Sequence, residues 1–313
     1  MFEEVPPRRA AKGQVVISIN AAGVNFPDTL IIQNKYQFKP DLPFSPGSEC
    51  AGIVKEVGEG VTRLKPGQPV IALTTYGCFA EEVVVNEAEC LALPAGVDFK
   101  LAAGFLLTYG TSYYALQDRA ELRAGESLLV LGAAGGVGSA AIQLGKLLGA
   151  RVIACASSDP KLAACRQLGA DEVINYQTED LRQRIKELTG NQGVDVVYDA
   201  VGGNYSEPAL RSLAWNGRHL VIGFAAGDIP KIPLNLTLLK GVSIVGVFWG
   251  AFTRQEPARA AQNHQQLLTW LSAGKVKPFI SAFYPLAQAA RALRCLANRE
   301  ALGKLVLVTD QSR

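Results

Sequence analysis

Histidine is scarce in this sequence. Only His219 and His264 occur among 313 residues, and the six cysteines (50, 78, 90, 155, 165 and 295) lie far apart, in no spacing that suits a metal or a disulfide framework. The thiols are expected to be reduced and mostly packed, as in a cytoplasmic protein. A formal net charge of +3, with Lys and Arg dispersed, gives no basic stripe for nucleic acid. No apolar run reaches the ~18 residues that a membrane span requires. The start, MFEEVPPRRA, lacks the apolar core of a signal peptide and is acidic early, unlike a transit peptide. Solenoid repeats and low-complexity tracts are missing too. What remains is 49% hydrophobic and 19% charged, a balance ordinary for an enzyme, in a chain long enough for two domains.

The chain is organised around Ser127 to Ala156, SLLVLGAAGGVGSAAIQLGKLLGARVIACA. An apolar run, Leu128 to Leu131, is short enough for a buried strand. The chain then turns through Gly132, Gly135, Gly136 and Gly138, enters a helical pattern ending at Gly149, and meets a second apolar run from Arg151 to Ala156. Strand, glycine turn, helix and strand within about thirty residues is the setting of a dinucleotide-binding fingerprint. Written as G-x-G-x-x-G/A, the motif falls on Ala133-Ala134-Gly135-Gly136-Val137-Gly138, with alanine first. Gly135 lets the backbone approach a pyrophosphate, and Gly138 lets the helix pack closely on its strand. The unpaired N–H groups of the helix start favour an anion.

Before this stretch, residues 13–24 alternate as a strand. A loop, Asn25-Phe26-Pro27-Asp28, precedes a short helix from Thr29 to Gln33. Strands punctuated by Gly and Pro follow (SECAGIVKEVG, VIAL, GCFAEEVVV) and predict a partly open β-barrel. Leu101 to Leu116 is expected to be one helix crossing into the cofactor half. After the fingerprint, strands at 172–175, 194–199, 219–224 and 242–248 alternate with helices at 160–168, 179–188 and 206–213. With the first two, they make six strands, the count of a doubly wound α/β sheet. The tail has strand-like pieces around a helix at 287–297 and is expected to return to the first domain. The expected domains are therefore 1–106 with 277–313, and 107–276.

Several stretches now carry a resemblance: GVNFPDTLIIQNKY (23–36), LPFSPGSECAGIV (42–54), LTYGTSYYAL (107–116), GAAGGVG (132–138), VDVVYDAVGG (194–203), SLAWNGRHLVIGFAAG (212–227) and GKLVLV (303–308). Over nearly its whole length the chain resembles the zinc-free NADPH:quinone oxidoreductase (zeta-crystallin-like) family of the medium-chain dehydrogenase/reductase superfamily. That resemblance implies a GroES-like barrel domain, a six-stranded parallel Rossmann domain and a homodimer formed through Val242 to Phe248. Relatives begin with a strand pair that this chain lacks, so an unpaired barrel edge is expected.

Alcohol dehydrogenases of the superfamily use zinc, which takes three Cys, His or carboxylate ligands in a catalytic site. Here Asn25 stands at the place of the first family cysteine. Gly47-Ser48-Glu49 replaces Gly-His-Glu, and the structural four-cysteine lobe is absent. No metal is expected, and both histidines are taken as structural. Cofactor choice is set at the end of the second Rossmann strand, where NAD enzymes carry a carboxylate. Aligned back from Leu168-Gly169-Ala170, that position is Ala156. Ser157, Ser158 and Lys161 follow, two hydroxyls and a cation suited to the extra phosphate of NADPH. Lys161 also fits a solvated helix residue, and Asp159 would oppose a phosphate if it pointed inward. The resemblance adds Tyr176 to this pocket, with Gln177 where many relatives are basic.

For the nicotinamide end, the resemblance implies Asn25, Thr111, Gly223 and Phe224, with Gly303 and Lys304 at the edge. Asn25 also fits a turn-capping residue. Phe248 and Trp249 fit the lining of a substrate pocket, and equally simple packing or a dimer contact. A hydride donor and an electron-poor acceptor, held close and dry, need neither metal nor nucleophile. A quinone becomes a stable phenolate, whereas an enoyl thioester becomes a basic enolate that benefits from a general acid. Tyr36 is the candidate acid and fits an aromatic lid equally well; Asp28 is taken as a structural acceptor. Three readings stay open: an NADPH-dependent reductase of quinones or related enones, an enoyl-thioester reductase, and a non-catalytic NADPH-binding homologue.

Overall fold

The structure, a computed structural model, describes residues 3–310, so expectations that reach Met1 or residues 311–313 fall outside it. Among the described residues two compact units form, one from residues up to 107 together with those from 268 onward and one from residues 108–267. Among the described residues, no helix is long and apolar enough to cross a membrane.

The first unit begins with β1 (Gln14–Val24), α1 (Phe26–Ile31), β2 (Glu49–Val57), β3 (Pro69–Leu73), β4 (Glu82–Asn86), β5 (Cys90–Ala92) and α2 (Phe99–Ala103). β1 is buried almost throughout, as its sequence QVVISINAAGV implies, and pairs antiparallel with β2 and β4. Barrel strands with one face to the core and one to water should alternate, and β4 does. Gly104 caps α2 and ends it there.

The expected single helix from Leu101 to Leu116 is thus corrected. It breaks at Gly104 and Phe105, restarts as α3 (Leu106–Tyr113), and widens into a π-helical turn at Tyr114–Arg119. An apolar run shows that a segment is buried, but it does not record where a turn takes an extra residue.

The second unit continues with β6 (Ser127–Leu131), α4 (Gly136–Leu147), β7 (Arg151–Ala156), α5 (Asp159–Gln167), β8 (Glu172–Asn175), α6 (Leu181–Leu188), β9 (Val194–Asp199), α7 (Ser206–Arg211), β10 (Leu213–Val221), α8 (Asn235–Lys240), β11 (Ser243–Gly246), α9 (Trp249–Gln255) and the start of α10 (Pro257–Ser272), whose residues from Leu268 onward belong to the first unit. Its six strands are all parallel in the order β11-β10-β9-β6-β7-β8. This is the doubly wound Rossmann sheet. β6, β7 and β9 are almost entirely buried, as strands covered on both faces must be, which explains their unbroken apolar runs. The chain leaves β6 for β7 on one side and reaches β9 on the other, so the carboxyl end of β6 is the switch point where ligands bind in such sheets.

Two strands differ from expectation. β10 starts at Leu213 instead of His219 and carries a register shift before Arg218, where Asn216 has a positive φ of 62°. β11 is shorter than 242–248 and stops at Gly246, so Phe248 and Trp249 do not end a strand; Trp249 begins α9. The helices α8 and α9 had no counterpart in the sequence reading.

The tail supplies β12 (Ile280–Pro285), α11 (Ala289–Ala297) and β13 (Lys304–Val308). β13 joins the first unit's sheet beside β1, and β12 lies parallel outside it, giving the path β12-β13-β1-β2-β3-β5. The return of the tail to the first unit is therefore fixed by backbone pairing.

Candidate active site

At the carboxyl end of β6, Ala133 N–H donates to Cys155 O at 3.0 Å and Gly135 N–H to Gly132 O at 3.0 Å, closing the glycine turn. α4 starts at Gly136, so Gly136, Val137 and Gly138 hold N–H groups that no earlier turn can accept. The two key glycines are glycine for different reasons. A Cβ on Gly138 would strike the Gly132 carbonyl and lie 2.7 Å from Ala133 Cα, so the helix could not seat on its strand. A Cβ on Gly135 would meet only Gly132 O, at 3.4 Å. No packing demands glycine there, which leaves a bare backbone cradle suited to a pyrophosphate. The residues present therefore fit a dinucleotide.

β7 delivers Ala156, fully buried, and then half-buried Ser157 and Ser158. Lys161, in the first turn of α5, points its Nζ to 3.4 Å from Ser157 Oγ. Asp159, the residue of concern, is held by Asn175 Nδ2 at 3.3 Å and sits in the first turn of α5, where its charge suits the helix dipole. Tyr176 lies against Tyr205, ring centroids 4.5 Å apart, and Gln177 Nε2 donates to Tyr205 Oη at 2.8 Å. Ser157, Ser158, Lys161 and Tyr176 thus follow the ends of the neighbouring strands β7 and β8, and Gln177 is bound to a side chain of the protein itself.

Thr111 is half-buried on α3. Its neighbour Ser112, which sequence reasoning passed over, ties that helix to the glycine turn: its Oγ donates to Val137 O at 3.0 Å and lies 2.8 Å from Tyr198 Oη on β9. A second overlooked hub is Asp199. Its Oδ1 accepts from Val201 N–H (2.9 Å) and Gly202 N–H (2.8 Å), and its Oδ2 from Ser206 Oγ (2.5 Å), with His219 Nε2 at 3.1 Å. Burial pushes this carboxyl up, but His219, Gly202 and Ser206 together hold it below the usual range. His219 is accordingly a buried structural partner. The turn after β9 is laced to the segment after β10, where Gly223 N–H reaches Asp199 O at 3.3 Å and Ala225 N–H reaches Ala200 O at 3.2 Å. Gly223 and Phe224 are thereby fixed. Phe248 is 47% exposed, whereas Trp249 is buried against Gly110.

The first unit gathers Asn25, Asp28, Glu49 and Lys304, which are 279 residues apart at the extremes and all at most 4% exposed. Lys304 Nζ donates to Asn25 Oδ1 (2.5 Å) and Val24 O (3.1 Å) and pairs with Glu49 Oε2 (3.5 Å). Asn25 Nδ2 lies 3.3 Å from both Glu49 Oε2 and Gly23 O, and Glu49 Oε1 accepts from Leu107 N–H at 2.9 Å. Asp28 Oδ2 accepts from Asn25 N–H at 2.7 Å, capping α1. Burial raises the Asp28 carboxyl from 3.8 to about 7, against the pull of Asn25 N–H, Lys304 and Ser48. The Ser48 hydroxyl lies beside it, buried, without a hydrogen bond of good geometry. Burial also lowers Lys304, opposed by Glu49 and Asp28.

These groups do not fit zinc. The only carboxylate at the old ligand positions is Glu49, already paired with an ammonium, and Asn25 and Ser48 bring neutral oxygens. Among the described residues no group of three His, Cys, Asp or Glu is placed to hold a metal. Tyr36 stands apart from the cluster in sequence, half-buried after α1, with its ring centroid 6.1 Å from that of Phe38. Gly303 is forced to be glycine, since its φ is +56° and an added Cβ would strike Phe279 O.

Residues 11–95 match the family model for the alcohol dehydrogenase GroES-like domain, and residues 136–266 that for zinc-binding dehydrogenase. A quinone oxidoreductase-like protein 2 homolog of Nematostella vectensis is 38% identical over 301 residues, covering 95% of this chain and 82% of that protein. The Escherichia coli quinone oxidoreductase solved in complex with NADPH is 32% identical with a TM-score of 0.91, over 98% of this chain and 94% of that one. The CurK enoyl reductase is 27% identical with a TM-score of 0.87, over 98% and 94% of the two chains.

Proposed function

From its place in the zinc-free quinone oxidoreductase family of the medium-chain dehydrogenase/reductase superfamily, to which this chain belongs, we propose that it is an NADPH-dependent, metal-independent reductase of quinones or related α,β-unsaturated carbonyls. The general activity, NAD(P)H-dependent oxidoreduction, comes with that membership. The observation that carries the choice of NADPH is the end of β7. Ala156 stands where a carboxylate would repel a phosphate, Lys161 leans toward Ser157, and Asp159 is held by Asn175.

In this reading Ala134, Gly135, Gly136, Val137 and Gly138 hold the pyrophosphate, and Ser157, Ser158, Lys161 and Tyr176 hold the extra phosphate. Thr111, Gly223, Phe224 and Phe248 orient the nicotinamide end, as does Asn25, with Gly303 and Lys304 beside it. Residues 107–276 form the dinucleotide domain, and 1–106 with 277–313 the substrate domain. Bound NADPH supplies a hydride. The protein's own part is to position the reactants and exclude water, because a quinone reduced by hydride is left as a phenolate that solvent can protonate. Tyr36 closes over the acceptor or protonates it.

A second reading, reduction of enoyl thioesters, is favoured by the likeness to an enoyl reductase. NADPH consumption measured with an ortho-quinone and a short enoyl-CoA in parallel, and again with NADH, tests both. Quinone turnover that prefers NADPH supports the main reading. Turnover of the thioester alone, lost in Tyr36→Phe, reassigns the enzyme and makes Tyr36 the acid. Silence with both acceptors refutes the proposed activity.

A homodimer and a cytoplasmic location complete the proposal. β11 is the outermost strand of its sheet, and Ile244, Phe248, Leu238 and Leu239 nearby are exposed and apolar, which suits pairing with a second copy. All six cysteines are free thiols, in keeping with a reducing compartment.

A further inference from the structure

The amide of Asn25 is oriented by charge. Its Oδ1 faces the Lys304 ammonium, which can only donate, and its Nδ2 faces Glu49 Oε2 and Gly23 O, which can only accept. Turned over, the amide would set N–H against ammonium and oxygen against carboxylate, losing every one of these bonds. Lys304 is equally committed. Its three protons face Asn25 Oδ1, Val24 O and Glu49 Oε2, and the side chain is 3% exposed. The backbone that carries it is pinned on both sides: Lys304 N–H donates to Phe279 O at 2.7 Å, and Leu305 pairs with Val24. Lys304 therefore has no proton left for a ligand, whereas Asn25 Oδ1 keeps one lone pair.

We propose that Lys304 is a positioning residue, whose ammonium fixes Asn25 so that it offers a ligand only a hydrogen-bond acceptor. Asn25 then selects a donor on its ligand, a hydroxyl or a carboxamide N–H, and refuses a bare carbonyl. Lys304 acts through Asn25 and does not touch the ligand. This rests on the proposed contact between Asn25 and the nicotinamide end of NADPH.

A double-mutant cycle on the full-length protein tests it, with NADPH affinity read by fluorescence titration in wild type, Lys304→Met, Asn25→Ala and the pair. A partly unfolded population weakens apparent affinity in proportion to the fraction lost, so the folded fraction of each variant is measured by urea unfolding and its dissociation constant corrected for it, which separates a merely structural lesion from a lost contact. One hydrogen bond at stake gives an expected ~5–10-fold weakening for either single variant. The pair should be no weaker than Asn25→Ala alone, within ~2-fold. Multiplied effects in the pair, or a Lys304→Met affinity equal to wild type, overturn the inference. If Lys304→Met does not fold, Glu49→Gln with Lys304→Gln removes both charges and takes its place, with the same outcomes. The acceptor does not enter the measurement, so failure of the quinone assay leaves this test intact. An Asn25→Ala protein that binds NADPH like wild type would instead refute the contact on which the inference rests.

Discussion

Asp28→Asn isolates the cost of a buried carboxyl. Asp28 is 1% exposed, accepts from Asn25 N–H at 2.7 Å, and has Lys304, Glu49, Ser48 and Cys78 around it. Burial raises it from 3.8 to about 7. Below about pH 4 the carboxyl is protonated in folded and unfolded chains alike, and its favourable contribution is fully present. As pH rises from there to about 7 the unfolded chain releases its proton and the folded chain keeps it, so stability falls. Above that the loss is complete. At 1.36 kcal/mol per pH unit, the interval from 3.8 to about 7 corresponds to about 4 kcal/mol, undiminished by solvent screening because the group is fully buried. Asparagine has the same shape, keeps an oxygen for Asn25 N–H, and never ionises. The stability of Asp28→Asn relative to wild type should therefore rise with pH, from near zero at pH 4 to about 4 kcal/mol at pH 8. Hydrogen exchange of β1 and β2 amides, followed in urea across that range, reads the first unit by itself. A difference between variant and wild type that stays constant with pH would refute the reasoning, and so would one that falls.

Other consequences follow from the second unit. Gly138→Ala should cost about 1–3 kcal/mol in thermal or urea unfolding, because its Cβ meets backbone atoms that cannot yield without moving α4. Gly135→Ala should unfold like wild type yet bind NADPH ~10-fold or more weakly, since its Cβ enters only the cradle; equal affinity would remove the pyrophosphate from that turn. Lys161→Ala should raise the KM for NADPH by ~10-fold and leave that for NADH within ~2-fold, as expected for a charge-assisted contact to the extra phosphate. Equal effects on the two cofactors would return Lys161 to the role of a solvated helix residue. Ile244→Asp places a carboxylate on the exposed edge strand, and light scattering should show a monomer where wild type is a dimer. An unchanged mass would move the interface elsewhere.

The features legible in the sequence are those whose cause is local. Buried parallel strands leave unbroken apolar runs, and close helix packing or a bare backbone cradle leaves glycine, so β6, β7 and β9 and the turn at Gly135 and Gly138 could be read directly. The break at Gly104 and the π-helical turn at Tyr114–Arg119 could not, because apolar composition is the same for one helix as for two joined pieces. The cluster around Asn25 was half legible. The loss of the zinc ligands is visible at Asn25 and Ser48, but what replaces them is carried by a residue 279 positions away. Lys304 looks like an ordinary charge at the start of an apolar strand. It becomes a buried counter-ion only because β13 pairs with β1 in the register that sets Leu305 opposite Val24. Side chains alternate between the two faces of a strand, so a slip of one residue would carry the ammonium to the other face and leave Glu49 buried without its counter-ion. That pairing register, fixed by contacts between the two ends of the chain, is what turns a lysine with no local signature into part of the candidate site.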